Sequence, residues 1–424
     1  MSTSPELYIS YLAILKGGLA FSPLPMDAPL ERIRELIQDI MPPVVLGIGG
    51  KPDEWASQGI QTTWIDATEI SRWKTLCNQD MSGEDSESSF QPLTIATGAL
   101  AYLLFTSGST GKTKGVQISH LAATCSIASH STAIALPDRN DGCFRWFQFA
   151  APTFDPSIME IFVTLSNGGA LCAAPRELTL TDLEGTINEA QATIMMATPS
   201  LAALLRPSHL QTLRSLWCMG EKLNRTVIDN FGMQSPDTPY TLANFYGPTE
   251  AAINCTVLVP VEYLVRGSII GEAIPTCSLF VLDHKSQMHR PEETAKAYVS
   301  SAEYGRLYRT GDMARIVWDM SGRQLIEFLG AISLDQAKLS GRRVELGEIE
   351  SVLSTVPGVI ELVAAITKVS DAREGSEQIV ACIVANTQSS DERQRLVDTC
   401  CHNSDKFLPA YMRPPRYIFL DSLP

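Results

Sequence analysis

The chain has 424 residues, of which 45% are hydrophobic and 19% charged, and its formal net charge is −14. This composition predicts a globular protein with more than one domain, and the acidic charge argues against nucleic acid or an anionic membrane as a partner. No stretch is apolar enough to span a bilayer and no basic region precedes the first apolar residues, so we expect a cytoplasmic protein. The ten cysteines form no Cys-x-x-Cys pair, which favours reduced, buried thiols over a metal site or disulfides.

Apolar runs of strand length alternate with helix-length segments over much of the chain. This alternation predicts an α/β fold in which helices and strands form layers. The polar, acidic stretch at residues 82–89 predicts a loop. We expect strands at residues 43–46, 99–105, 169–173, 192–196, 215–219 and 279–282. We expect helices at residues 31–40, 183–190 and 225–231.

The pattern changes toward the C-terminal end of the chain. Residues 314–319 and 324–329 flank a Ser321-Gly322 turn, which is typical of a β-hairpin. Glycine-rich segments and a short α+β pattern follow this hairpin. We therefore expect a large N-terminal domain at residues 1–332 and a small C-terminal domain at residues 333–424.

A glycine-rich loop follows the apolar run that ends at Phe105. Its sequence is Thr106-Ser-Gly-Ser-Thr-Gly-Lys-Thr-Lys114. A Walker P-loop needs a glycine five residues before Gly111, and Thr106 stands there, so the Walker pattern fails by one residue. Glycines, hydroxyls and lysines in one loop after a buried strand are nevertheless suited to binding a polyphosphate. The alternative is an exposed turn of small residues.

Four further motifs accompany this loop along the chain. They are Phe154-Asp-Pro-Ser157, Asn244-Phe-Tyr-Gly-Pro-Thr-Glu250, Tyr308-Arg-Thr-Gly-Asp312 and Gly341-Arg-Arg-Val-Glu-Leu-Gly-Glu-Ile-Glu350. In this order the motifs closely resemble those of the adenylate-forming superfamily, and specifically the amino-acid-activating adenylation domains of nonribosomal peptide synthetases, including those of siderophore synthetases. The resemblance runs from Leu15 to Pro414, and a series of motifs in order is far more specific than one alone. It implies a large multi-layer N-terminal subdomain and a small α+β C-terminal subdomain.

The resemblance also implies a two-step ligase reaction. A substrate carboxylate attacks the α-phosphate of Mg-ATP to give an acyl adenylate and pyrophosphate. The phosphopantetheine thiol of a carrier protein then takes the acyl group. Peptidyl carrier and condensation domains are expected in cis, and the module is expected to be monomeric. This chemistry requires neutralised phosphate charge and a site that excludes water.

By the same resemblance, three of the motifs form the nucleotide site. Thr110, Lys114 and Glu250 are the expected catalytic residues, with Thr110 and Glu250 holding Mg²⁺, which prefers oxygen ligands. Tyr246 is expected to stack on adenine and Asp312 to accept both ribose hydroxyls. In isolation, Tyr246 would more simply be a core residue and Asp312 part of a surface turn. The other expected nucleotide contacts are Thr106, Ser107, Gly108, Ser109, Gly111, Gly220, Glu221 and Thr249.

Asp155 indicates the class of substrate. In the family pattern, an aspartate at this place pairs with the α-ammonium of an amino acid, whereas relatives that activate fatty or aryl acids do not use one. A carboxylate among apolar neighbours is costly to bury unless a cation pairs with it. The alternative is that Asp155 caps a helix that starts near Pro156.

The family's specificity positions, carried across from these motifs, describe an apolar pocket with one carboxylate and one amide. A pocket of this composition predicts a bulky, neutral amino acid. Its three methionines suit an irregular guest, and Asn254 can hydrogen-bond a polar group within it. An acylated or N-hydroxylated ornithine of the siderophore kind is favoured slightly over leucine or phenylalanine. The positions are Asp155, Pro156, Met159, Met196, Trp217, Met219, Phe245, Ile253 and Asn254.

The chain also departs from the family pattern. Its N-terminal segment and a glycine-rich segment between Gln287 and His289 are missing, and the hinge region leaves Ser333 and Asp335 as alternatives. The chain stops before the motif whose lysine bridges the substrate carboxylate and ATP, so we expect it to be part of a longer protein. One alternative is a noncatalytic adenylation-like module, which the missing lysine favours. Another is an acyl-CoA synthetase, which Asp155 argues against.

Overall fold

The fold divides into two compact units. One unit holds Met1–Leu103, Thr110–Lys112 and Leu346–Pro424, and the other holds Leu104–Ser109 and Thr113–Glu345. The computed structural model describes residues 3–48, 63–66, 93–106, 114–133, 144–282, 298–332, 336–339, 342–368, 377–385 and 389–422.

Helices and strands alternate through both units. The helices are α1 (Pro5–Lys16), α2 (Leu30–Ile40), α3 (His120–Ala133), α4 (Pro156–Ser166), α5 (Arg176–Thr181), α6 (Leu183–Glu189), α7 (Pro199–Ala202), α8 (Arg225–Phe231), α9 (Leu346–Ser354) and α10 (Ser390–Phe407). The strands are β1 (Val44–Gly47), β2 (Thr63–Asp66), β3 (Leu100–Thr106), β4 (Lys114–Ser119), β5 (Arg145–Phe147), β6 (Ala170–Cys172), β7 (Ile194–Ala197), β8 (Ser215–Cys218), β9 (Thr241–Tyr246), β10 (Thr256–Leu258), β11 (Ile269–Ala273), β12 (Tyr298–Ser301), β13 (Gly305–Tyr308), β14 (Asp312–Trp318), β15 (Gln324–Ala331), β16 (Gln336–Leu339), β17 (Arg342–Glu345), β18 (Val359–Lys368), β19 (Glu377–Ala385) and β20 (Arg416–Phe419). Within the described ranges, no helix combines the length and the apolar character needed to cross a bilayer.

A mixed sheet organises the larger unit. Within the described residues it has nine strands, in the order β14-β15-β11-β10-β9-β8-β7-β5-β6. Strands β6, β5, β7, β8 and β9 run parallel, whereas β10, β11, β15 and β14 pair antiparallel. Every residue of β7 and β8 is buried, as expected for parallel strands covered on both faces. The parallel strands therefore end at one common edge of the sheet.

The hydrophobic core of this unit gathers side chains from the parallel strands and from α8. Phe147, Met195, Leu216, Phe231 and Leu242 are among its fully buried members. Burying an apolar side chain of this size stabilises the fold by about 1.5–3 kcal/mol. This packing fixes the strand ends at which the candidate site is found.

The other unit combines N-terminal helices with a C-terminal α+β structure. Strands β18 and β19 pair antiparallel and β20 joins β19 in parallel. Helix α10 begins with a capping box, in which Ser389 and Glu392 exchange backbone and side-chain hydrogen bonds. Helix α2 packs against α10, and Arg32 on α2 forms a buried ion pair with Glu348 on α9.

The structure confirms the predicted α/β fold class. The predicted helices, the hairpin and most predicted strands occur within two residues of their expected bounds. The strand predicted at residues 279–282 is wrong, because this segment is irregular and pairs with no strand among the described residues. Its apolar side chains Phe280, Val281 and Leu282 are exposed, so the segment lacks the buried face that a short apolar run suggests. The loop at 82–89 lies outside the described residues, and the domain boundary after residue 332 stays a prediction.

Candidate active site

Four of the predicted pocket residues lie at the common edge of the parallel strands. Met196 on β7 stands opposite Trp217 on β8 in the sheet register. The rings of Trp217 and Phe245 are 5.2 Å apart between centroids, and Met219 follows directly after β8. All four side chains are buried. Because ligands bind at this edge in open α/β sheets, the structure places these residues where a pocket is expected.

Helix α4 supplies three further pocket residues. Asp155, Pro156 and Met159 are all buried, and Asp155 is only 3% exposed. Asp155 stands at the N-cap position, but its backbone is helical (φ −55°, ψ −28°) and its side chain makes no capping hydrogen bond. A capping aspartate has an extended backbone and accepts from the first helical turn. The interpretation of Asp155 as a helix cap is therefore wrong.

The last two predicted pocket residues, Ile253 and Asn254, lie in a segment whose backbone is strained at residues 252 and 253. Ala252 and Ile253 have φ values of +56° and +91°. Residues other than glycine, and β-branched residues above all, rarely adopt this backbone conformation. A Cβ on Gly247 would lie 2.4 Å from the Asn254 Cα, so this motif glycine allows the two segments to approach. Strain of this kind clusters at functional sites.

Helix α3 contacts this segment through a histidine that sequence analysis did not identify. His130 is fully buried, its Nδ1 lies 2.6 Å from the Ser126 carbonyl oxygen, and its Nε2 lies 3.2 Å from Asn254 Nδ2. Its ring lies 5.9 Å from that of Phe245 between centroids. Burial lowers the pKa of His130 to about 4, so the imidazole is neutral at pH 7. The small and polar residues of α3 match no motif, and therefore gave no signal for this contact.

Two predicted nucleotide-binding residues meet at the ends of β9 and β14. The Tyr246 hydroxyl donates to Asp312 Oδ2, and the Asp312 backbone N–H donates to the Thr310 hydroxyl oxygen at 3.2 Å. Burial, followed by the Asp312 charge, raises the pKa of Tyr246, so the phenol keeps its proton. An aromatic ring beside an oriented carboxylate fits a nucleoside, because a carboxylate can accept from both hydroxyls of a ribose. The individual roles of the two residues stay predictions.

Four further nucleotide-site residues, Gly220, Glu221, Thr249 and Glu250, lie in turns or bends that follow strands. Thr249 and Glu250 begin a 3₁₀ turn directly after the Gly-Pro pair. Gly220 has a φ of +90°, and the Glu221 carboxylate accepts from the Ser200 N–H at 2.9 Å and from the Ser200 hydroxyl. The Glu221 side chain thus bonds within the protein, and the expected nucleotide contact through the backbone of this turn stays a prediction.

The structure describes only the two ends of the glycine-rich loop. The Thr106 hydroxyl at the end of β3 donates to the Lys114 carbonyl oxygen at 3.5 Å. This contact closes the base of the loop. The predicted site residues Ser107, Gly108, Ser109, Thr110, Gly111, Ser333 and Asp335 lie outside the described residues.

Comparison with protein-family models decides the family. The model of AMP-binding enzymes matches residues 1–308, and the model of the AMP-binding enzyme C-terminal domain matches residues 348–424. The chain belongs to the AMP-binding enzymes. The prediction of an ATP-dependent, adenylate-forming ligase is thereby confirmed.

This AMP-binding enzyme resembles parts of much longer curated proteins. It is 58% identical over 467 aligned residues to the nonribosomal peptide synthetase sidC of Aspergillus fumigatus, and 44% identical over 463 residues to the siderophore peptide synthetase fer3 of Mycosarcoma maydis. The two matches take in 100% and 99% of the chain but only 10% and 9% of these relatives. The resemblance to nonribosomal peptide synthetases of the siderophore kind is confirmed.

Solved structures confirm the fold of the AMP-binding enzyme. The Vibrio cholerae adenylation domain AlmE, in complex with glycyl-adenosine-5′-phosphate, matches with a TM-score of 0.77 at 22% identity, over 100% of this chain and 85% of AlmE. PA1221, a protein with adenylation and PCP domains, matches with a TM-score of 0.74 at 22% identity, over 100% of this chain and 72% of PA1221. At this level of identity the likeness concerns the fold.

A second residue that sequence analysis missed holds the helix on which Asp155, Pro156 and Met159 lie in this AMP-binding enzyme. Glu160 on α4 is fully buried and accepts from Gln148 Nε2 at 3.2 Å, the Phe149 N–H at 3.3 Å and the Ala150 N–H at 3.1 Å. Burial raises the pKa of Glu160 to about 8 and outweighs these hydrogen bonds, which favour the ionised form. Glu160 thus fastens α4 to the chain after β5. A lone acid within an apolar helix was the available signal.

Proposed function

We propose that this AMP-binding enzyme is an amino-acid adenylation domain of a nonribosomal peptide synthetase, which forms an aminoacyl adenylate from Mg-ATP and a bulky neutral amino acid. The observation that carries the proposal is the burial of Asp155 at the start of α4, at the position where the family pattern has the aspartate that pairs with an α-ammonium. A carboxylate in such surroundings favours a cationic partner, and the α-ammonium of an amino acid provides one. The relatives sidC and fer3, both named as peptide synthetases, support the same class.

The remaining pocket residues define the side chain that this site accepts. Met159, Met196 and Met219 are buried, flexible side chains that adapt to an irregular guest. The pocket positions carry no second acid and no basic residue, which disfavours both cationic and anionic amino acids. An N-acylated, N-hydroxylated ornithine fits this description, and the siderophore synthetases among the relatives support it.

The nucleotide is held by residues from separate motifs. Tyr246 stacks on the adenine and Asp312 accepts the ribose hydroxyls, and the bond between these residues, 66 positions apart in the sequence, supports this assignment. Lys114 neutralises phosphate charge at the loop, and Thr110 and Glu250 hold Mg²⁺. Mg²⁺ held there would further neutralise the charge of the phosphates. The substrate carboxylate, oriented through Asp155, then attacks the α-phosphate and displaces pyrophosphate, which leaves the aminoacyl adenylate.

The acyl adenylate is passed to a partner domain. The acceptor is the phosphopantetheine thiol of a peptidyl carrier domain that lies in cis with a condensation domain. The likeness to PA1221, which contains adenylation and PCP domains, and the synthetase names of the relatives support this arrangement. We place the protein in the cytoplasm and expect the module to be monomeric.

Exchange of pyrophosphate into ATP tests the proposed function. With the full-length product of the gene, we expect exchange to depend on one bulky neutral amino acid, and the acyl group to reach a carrier thiol but not free coenzyme A. Transfer of a carboxylic acid without an amino group to coenzyme A would instead indicate an acyl-CoA synthetase. Nucleotide binding without any exchange would indicate a noncatalytic module.

A further inference from the structure

Helix α3 holds the strained segment at residues 252–254 at two points. The Ser126 hydroxyl donates to the Ala252 carbonyl oxygen. One turn further along α3, His130 Nε2 lies 3.2 Å from Asn254 Nδ2. All four residues are buried. One face of α3 therefore fixes both the backbone that leads to Asn254 and the Asn254 side chain.

The hydrogen bonds of His130 determine which of its ring nitrogens carries the proton. The Ser126 carbonyl oxygen can only accept, and it lies 2.6 Å from His130 Nδ1, so Nδ1 is the donor. Burial lowers the pKa of this histidine to about 4, and a neutral imidazole has one proton. The other nitrogen, Nε2, is therefore an acceptor.

An accepting Nε2 orients the Asn254 amide. Only the amide nitrogen can donate to His130, and the same nitrogen lies 3.5 Å from Met159 Sδ, a weak acceptor. The amide oxygen, Oδ1, is buried and receives no hydrogen bond from the described residues. The Trp217 indole, which also packs on Phe245, donates its N–H to the Ser215 hydroxyl at 2.7 Å instead. A buried acceptor that receives no hydrogen bond, such as the Asn254 amide oxygen, favours a ligand that brings a hydrogen-bond donor.

We propose that His130 is a positioning residue, which holds the Asn254 amide with its oxygen available to the amino-acid side chain. The pocket then selects a neutral side chain that carries a hydrogen-bond donor, either a hydroxyl or an N–H group. This inference rests on the proposed amino-acid adenylation and deepens it, because it distinguishes between guests of similar size.

The required chemistry separates the two substrate classes that the pocket composition leaves open. An N-hydroxylated ornithine carries a hydroxyl donor, and an N-acylated ornithine without the hydroxyl carries an amide N–H. Leucine and phenylalanine carry neither, so either would leave the Asn254 oxygen buried without a partner. A site that hydrogen-bonds its substrate rejects analogues without the bonding group more strongly than an apolar pocket rejects a change of size.

Matched pairs of amino acids test the inference directly. One pair is N5-acetyl-N5-hydroxyornithine and its O-methyl ether, and others are N5-acetylornithine with its N5-methyl derivative and tyrosine with phenylalanine. In pyrophosphate exchange by the full-length protein, we expect the preferred pair to show a kcat/KM that is about ten- to a hundredfold higher for the donor.

Three variants test the role of His130. His130→Phe keeps a ring against Phe245 but removes the acceptor, so the Asn254 amide is free to turn. We expect this variant to bring the ratio of kcat/KM between the two members of a pair close to one. The main cause should be a higher KM for the amino acid that carries the hydrogen-bond donor, rather than a lower kcat. His130→Gln offers a carbonyl acceptor and should restore part of the preference. Thr132→Val is the matched control, because the Thr132 hydroxyl bonds to the Ser129 carbonyl oxygen on the same helix.

The outcomes separate this inference from the proposed function. Exchange that is equally efficient for both members of every pair overturns the inference and leaves amino-acid adenylation in place. An unchanged ratio in folded His130→Phe also overturns it. If none of the amino acids supports pyrophosphate exchange, the proposed function is overturned, and the inference with it. If His130→Phe does not fold, the kcat/KM values of the paired amino acids on the wild-type protein still decide whether the pocket selects a hydrogen-bond donor.

Discussion

We expect two buried polar side chains to determine which amino acid the candidate pocket accepts. Asp155 brings the only carboxylate among the pocket positions, and Asn254 brings the only amide. Each is costly to bury unless a partner of the right kind is present. His130 adds a direction to the Asn254 amide, because its own hydrogen bonds leave it as an acceptor. We therefore expect the pocket to discriminate by charge and hydrogen bonding as well as by size.

The buried imidazole of His130 also makes stability depend on pH. Burial lowers its pKa to about 4 from 6.5, so between these values the unfolded chain binds a proton that the folded chain does not. The stabilising contribution is fully present above pH 6.5 and is lost as the pH falls through 4. Relative to His130→Phe, we expect the wild type to lose up to about 3 kcal/mol of unfolding free energy over this range. Urea unfolding of both proteins measures this, and a difference that does not vary with pH would refute it.

The elements that form the site were predictable where local sequence determines them. The apolar runs of β7 and β8 predicted strands, which the structure shows to be buried and parallel, and ordered motifs indicated where Asp155 and Tyr246 lie. The contact of His130 with Asn254 spans 124 positions and belongs to no local pattern, so sequence analysis could not find it. The wrong strand at residues 279–282 has the same origin, because a strand also needs a partner that sequence does not show.

The turn after β9 depends on a glycine that permits close packing. A Cβ on Gly247 would lie 2.4 Å from the Asn254 Cα and 2.8 Å from the Cys255 nitrogen, and backbone atoms cannot move aside easily. We expect Gly247→Ala to destabilise the fold by about 1–3 kcal/mol and to reduce exchange. Gly98→Ala is the control, since a Cβ there meets nothing within 4 Å. Thermal unfolding and exchange assays check this, and equal behaviour of the two variants would contradict it.

At the scale of the whole molecule, the sequence predicted the fold class and the family. It did not predict that the N-terminal and C-terminal segments of the chain form one compact unit. The unit that contains both ends includes the ion pair between Arg32 and Glu348, which are 316 positions apart. Neither residue lies in a pattern that indicates the other. The family could be predicted because its motifs recur in order, and both family models match.

Replacing one member of this buried ion pair should lower the unfolding free energy more than replacing both members. We expect Arg32→Met to cost about 3–5 kcal/mol, because Glu348 keeps a buried charge, and Arg32→Met with Glu348→Leu to be close to the wild type. Arg34→Met is the control, since the Arg34–Glu31 pair is partly exposed and should contribute less than about 1 kcal/mol. Urea unfolding of the set measures these differences. A double variant as unstable as the single one would argue against the interpretation.

The central claim, that Asp155 binds the α-ammonium of an amino acid, is tested most directly by comparing two aspartates at helix starts. Asp182 caps α6 through a 2.9 Å bond from the Gly185 N–H, whereas Asp155 does not cap α4. We expect Asp155→Ala to abolish amino-acid-dependent pyrophosphate exchange while ATP binding persists. Asp182→Ala should keep exchange and lose about 1 kcal/mol of stability. Exchange by Asp155→Ala at the wild-type rate would contradict the account.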